Sequence, residues 1–188
     1  MKIKVGFFAI LLFFSLFITH PSFSFASLLA VFLHELGHLL AARICHIGMK
    51  EFSLGLFGAG LTPDDRLYSY FDEIILCLGG PLTNLFFASL ALFSPSSPFL
   101  ESFIFASFAY GILNLLPIRT FDGGRIFRSL LLFFLPLTLT EKILSALSFF
   151  CIFCLWSISV YLLLRTTSSL SLFVFSLSLF CRLFLPEE

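Results

Sequence analysis

Residues Ser27–Arg43 read SLLAVFLHELGHLLAAR, which places three ionisable side chains, His34, Glu35 and His38, in the middle of a largely apolar run that closes on Arg43. A run of this kind can lie in hydrocarbon, where an ionised group costs about 2.5–3.5 kcal/mol on insertion scales. On a helix, positions i and i+4 share a face, so His34 and His38 can point at one centre. Two imidazoles so placed are the usual start of a zinc site, and the Glu between them is placed to take a proton from an attacking water. The competing reading is a buried helix whose polar groups are satisfied by its neighbours.

Composition narrows the class. The 188 residues are 59% hydrophobic and 12% charged, with 29 Phe, whereas a soluble domain carries about 25% charged residues. A polytopic membrane protein of about five to seven helices is the reading that fits. Formal net charge is zero, so no bulk electrostatic case exists for nucleic acid as a partner. The five cysteines, Cys45, Cys77, Cys151, Cys154 and Cys181, lie in or beside apolar stretches, which argues against a secreted disulfide framework. Cys151 and Cys154 have CxxC spacing in the middle of an apolar helix, where packing is the expected role.

In chain order, Lys2 and Lys4 precede an apolar run from Val5 to Thr19, read as a retained first transmembrane helix. A cleaved signal peptide is the alternative, since Ser24-Phe25-Ala26 resembles a processing site. The second helix runs from Ser22 to Ile44. Glu51–Leu61 is Gly-rich and partly alternating, and predicts a β-hairpin or re-entrant loop at the membrane surface, followed by a polar turn at Pro63–Arg66. A third helix spans Tyr70 to Phe93 and contains Gly79-Gly80-Pro81-Leu82-Thr83-Asn84. Small residues there permit close helix packing, and Asn84 needs a partner within the bilayer.

The fourth helix, Phe99 to Leu116, leads into Asn114-Leu-Leu-Pro117-Ile-Arg-Thr-Phe-Asp122-Gly-Gly-Arg125. Pro117 ends or kinks it, and Gly123-Gly124 is expected to let the chain turn sharply. Asp122 can cap the next short helix, Arg125 to Leu135, or serve a site. Pro136 and Thr138–Thr140 are expected to break the chain before a fifth long helix, Glu141 to Arg165, and a sixth, Leu170 to Leu185. Six crossings put Lys2, Lys4, Arg43, Lys50, Arg66, Arg119, Arg125, Arg128, Lys142 and Arg182 on one side, with Arg165 alone on the other. By the positive-inside rule both termini are cytoplasmic. The ends of helices two and four then share a depth, so His34, His38 and Asp122 can converge on a three-ligand site.

These motifs resemble those of the site-2 protease family of intramembrane zinc metalloproteases: HELGH in one helix, Gly80-Pro81-x-x-Asn84 in the next, and Asn114-x-x-Pro117-x-x-x-x-Asp122-Gly123 after a third. The layout looks most like the bacterial branch that includes the sporulation sigma-factor-processing protease. The resemblance implies one Zn2+ per chain on His34, His38 and Asp122, with Glu35 as catalytic base. It gives Asn84, Asn114, Gly80 and Pro81 a role in substrate binding or site support. It also suggests that Phe52–Leu61 pairs with an unwound substrate strand.

The fold expected is therefore an all-α polytopic membrane protein of about six transmembrane helices with a short membrane-associated β-hairpin or re-entrant loop. Residues 1–188 form one metalloprotease domain, with a catalytic core at 22–128, C-terminal helices at 141–185 and no separate soluble regulatory domain. Its partners are a transmembrane protein substrate, the lipid bilayer of a bacterial cytoplasmic membrane and a candidate membrane regulatory protein. A zinc transporter or a catalytically silent binder of membrane helices would use the same ligands. A silent site has no need of an intact Glu35, and a transporter calls for polar groups along several helices.

Overall fold

A computed structural model describes residues 2–5, 21–55, 58–63 and 69–166, together with 176, 179 and 180. The first apolar run, the 64–66 turn and most of the sixth expected helix lie outside the described residues. Helix dominates. In chain order the elements are β1 (Lys2–Val5), α1 (Pro21–Ile44), β2 (Met49–Gly55), β3 (Gly58–Pro63), α2 (Tyr70–Ala91), α3 (Pro98–Asn114), α4 (Asp122–Leu132) and α5 (Leu137–Thr166). By length and composition α1, α2 and α5 can each cross a membrane.

The chain forms two compact units, Met1–Leu115 and Leu116–Glu188. In the first, α1, α2 and α3 pack on one another. The three strands form one sheet in the order β1-β2-β3, with β1 parallel to β2 and β3 antiparallel to it. Helix ends follow local chemistry. Ser69 and Asp72 make a reciprocal capping box that starts α2, and Ser97 with Pro98 at the first helical position starts α3. His46, at φ 56°, turns the chain out of α1.

Burial is inverted relative to a water-soluble bundle. The inner face of α1 carries Ala26, Ala30, His34, Gly37, His38, Ala41 and Ala42, while Phe25, Phe32 and Leu40 face outward. On α2, Gly80, Asn84 and Ala88 are inside, and Phe71, Phe86 and Leu90 outside. Helices that gain nothing by hiding apolar surface from lipid pack instead through small and polar residues. Large side chains on the outside and Gly, Ala and Asn within are that pattern.

In the second unit, Ile118, Phe121, Ile152 and Leu179 bury one another. Three expectations are corrected here. The short helix starts at Asp122, three residues before Arg125, so Gly123 and Gly124 lie in its first turn and form no sharp reversal. Gly124 answers to a close approach: a Cβ there would run into the carbonyl group of Ile118. Thr138–Thr140 do not break the chain, because α5 is already under way at Leu137, immediately after Pro136.

Candidate metal centre

His34 and His38 stand one turn apart on the buried face of α1, with ring centroids 4.7 Å apart and planes at 81°. Both rings and the Glu35 carboxylate are almost wholly shielded, at 2%, 7% and 5% exposure. What brings α2 against them is a contact without side chains. A Cβ on Gly79 would stand 2.5 Å from the Gly37 carbonyl oxygen and 2.8 Å from the Ala41 Cβ, and one on Gly37 would stand 2.8 Å from the Gly79 carbonyl carbon. The two backbones touch, and only glycine at both positions allows it.

That contact sets two groups of α2 before the histidines. The Leu76 carbonyl oxygen lies 2.8 Å from His38 Nδ1; since a carbonyl can only accept, Nδ1 carries the proton and Nε2 keeps its lone pair. One turn on, Gly80 faces the other edge of both rings. A Cβ on it would fall 2.7 Å from His34 Nε2 and closer still to His38 Nε2. The absent side chain therefore leaves a cradle where two imidazole nitrogens meet. Pro81, next in the helix, has no N–H to return to the preceding turn.

The remaining family-type polar positions behave differently. Asn84, one turn beyond Gly80, is fully buried, and neither its Oδ1 nor its Nδ2 has a hydrogen-bond partner among the described residues. Gly111 of α3 lies opposite: a Cβ there would stand 3.3 Å from that of Asn84. Asn114 is half-buried at the end of α3, and its Nδ2 donates to the Tyr110 carbonyl oxygen at 3.0 Å, a bond within its own helix. Sequence reasoning did not single out Tyr110, whose ring meets His34 edge-on at 4.7 Å between centroids. A lone Tyr in an apolar helix carries no signal of such a role. The Leu76 carbonyl, a backbone atom, carries none either.

In the second unit Asp122 is buried, at 9% exposure, as the first residue of α4. The N-cap is Phe121, which makes no side-chain cap bond, so Asp122 stands one position inside the helix and is not its N-cap. A carboxylate in the first turn is still favoured by the helix dipole. The segment before it is pinned to α5. The Arg119 backbone N–H donates to Ser148 Oγ at 2.9 Å, and that hydroxyl donates to the Pro117 carbonyl at 3.4 Å. Glu141 bridges two cations, Arg119 Nη2 at 2.8 Å and Arg128 Nε at 2.7 Å.

The residues present suit a zinc ion. The donors are imidazole nitrogens, one of them with its protonation fixed by a backbone acceptor, as zinc-binding histidines have. The cradle at Gly80 is space that any other residue would fill.

Residues 78–157 match the family model described as Peptidase family M50, a segment that includes Gly80, Pro81, Asn84, Asn114 and Asp122 and leaves out the HELGH stretch. No curated protein matches the chain. The fold is similar to that of the solved Site-2 Protease from Methanocaldococcus jannaschii, with a TM-score of 0.67 and 21% identity over 100% of this chain and 94% of that one. The motif resemblance read from the sequence thus has a family match and a fold likeness beside it, and the M50 family is one of metalloproteases.

Proposed function

We propose that this chain is an intramembrane zinc metalloprotease of the site-2 protease type, cleaving a peptide bond in or beside a transmembrane segment of a membrane-tethered protein. The observation that carries the reading is the meeting of the His34 and His38 Nε2 atoms at the bare Cα of Gly80, beside a buried Glu35. His34, His38 and Asp122 are the ligands of one zinc ion. Support for Asp122 comes from its burial and from its place inside the segment matched to the M50 family.

Zinc held there supplies a Lewis acid that polarises the scissile carbonyl and lowers the pKa of water to about 7. Glu35 takes the proton of the attacking water and hands it to the departing amine. The Leu76 carbonyl holds the His38 ring in one tautomer, and Gly80 keeps the ligand space open. Asn84 and Asn114 support the site or the substrate. The substrate bond must leave its own helix before it can be attacked, because a helical backbone is already fully hydrogen-bonded. A segment of weak helical propensity is therefore the expected substrate. β3 has one outer edge unpaired among the described residues, a place where an unwound substrate strand can add.

A membrane-anchored transcription regulator, such as a sigma-factor precursor, fits this chemistry, as in the sporulation branch of the family. Six crossings with both termini in the cytoplasm complete the reading. The test is co-expression with candidate membrane-tethered transcription-factor precursors, followed by cleavage assays on detergent-solubilised protein. Cleavage should stop on zinc chelation and return with added zinc. Cleavage indifferent to chelation would sink the proposal.

A further inference from the structure

The ligand reading leaves unexplained why a polar cluster on α5, 19 to 26 residues beyond Asp122 in sequence, is organised around the segment that leads into it. Ser148 is fully buried, yet its hydroxyl is spent on two backbone groups of that segment, accepting from Arg119 N–H and donating to the Pro117 carbonyl. Seven residues earlier, on the same side of α5, Glu141 pairs with Arg119 of the segment and with Arg128 of α4. Arg119 is thus held twice, by its backbone and by its side chain. Ile118 and Phe121 on either side are buried in one apolar cluster with Ile152 and Leu179. Gly124 brings the first turn of α4 up against the Ile118 carbonyl group. Every residue from 117 to 121 except Thr120 is tied to α5 or to α4.

We infer that Glu141 and Ser148 are positioning residues that fix where the carboxylate of Asp122 points, so that α5 serves as the backstop of the third zinc ligand. The inference rests on the reading of Asp122 as a ligand. An isolated, half-exposed ion pair contributes little. Here the two pairs share one carboxylate and act on a segment that the Ser148 hydroxyl already anchors, so their effect falls on direction more than on folding. A carboxylate ligand whose supporting partners are removed typically loses about 10–100-fold in metal affinity.

The experiment measures zinc affinity of the full chain in detergent by competition with a chromophoric chelator, alongside thermal unfolding of the zinc-free protein. Glu141→Gln and Ser148→Ala are made in the parent and in an Asp122→Ala background, with Ser157→Ala as control; Ser157 is exposed on the same helix, and its hydroxyl donates to the Phe153 carbonyl one turn back. Both variants should weaken zinc binding by about tenfold or more in the parent. They should add nothing once Asp122 is gone, and the control should match the parent. An equal loss in both backgrounds would mean a general structural role and overturn the inference. So would parental affinity in Glu141→Gln and Ser148→Ala where Asp122→Ala loses zinc, an outcome that leaves the ligand assignment standing. Parental affinity in Asp122→Ala would remove the ligand assignment itself, and the inference with it.

Discussion

His38 donates through Nδ1 to the carbonyl oxygen of Leu76 at 2.8 Å. The bond spans two helices and fixes a proton on one ring nitrogen, so the other nitrogen is an acceptor before anything binds to it. Leu76 and Gly80 are one turn apart, so a single face of α2 both orients the ring and makes room at its far edge.

Gly80→Ala tests that room directly. The new methyl would contact both Nε2 atoms, and neither ring can retreat without breaking the contacts at Leu76 or Tyr110. Zinc content after equilibration at fixed free zinc should fall by about tenfold or more. Zinc content equal to the parent would show that the cradle is incidental.

Glu35→Gln keeps size and polarity and removes the base. It should retain about one zinc per chain and lose cleavage by at least about a hundredfold, the low end for general-base catalysis. Metal analysis and proteolysis of the same preparation check both halves, and full proteolysis would take Glu35 out of the mechanism.

Gly37→Leu or Gly79→Leu would drive α1 and α2 apart. Overpacking costs about 1–3 kcal/mol, and the pair should be mutually redundant, because either substitution breaks the same contact. Unfolding in detergent should show a double variant little worse than the worse single one. Additive losses would mean that the two glycines do not share a contact.

Much of this was legible in the chain. HELGH at i, i+4 spacing located the histidines, and α1 runs Pro21–Ile44 against an expected Ser22–Ile44, because a long apolar run bounded by Pro and polar turns leaves few alternatives. Asp122 was singled out in the sequence, but the helix that it opens was expected to start three residues later. Gly-Gly is read as a turn because glycine tolerates unusual backbone angles, whereas here a helix uses Gly124 to let another carbonyl approach. The Thr138–Thr140 misreading is similar: polar β-branched residues suggest a break, but after Pro136 they are a good first turn. The Leu76 carbonyl, Tyr110 and the Glu141 bridge could not be read at all, since each depends on which elements meet.

The proposed orientation rests on the basic residues. Reporters fused after Arg66 and after Glu188 should report cytoplasm, and one inserted in Ser94–Ser97, between α2 and α3, should report the opposite side. A cytoplasmic signal from the α2–α3 turn would reverse the topology proposed here.

The Gly37 and Gly79 crossing has a mechanical meaning. Interlocking side chains can slip by changing rotamer, so helices joined by them yield a little at a time under load. Two backbones in direct contact have no torsion to give. When the bilayer thins, thickens or shears, α1 and α2 must tilt together or part altogether, and the spacing from the histidines to Gly80 is held while they tilt.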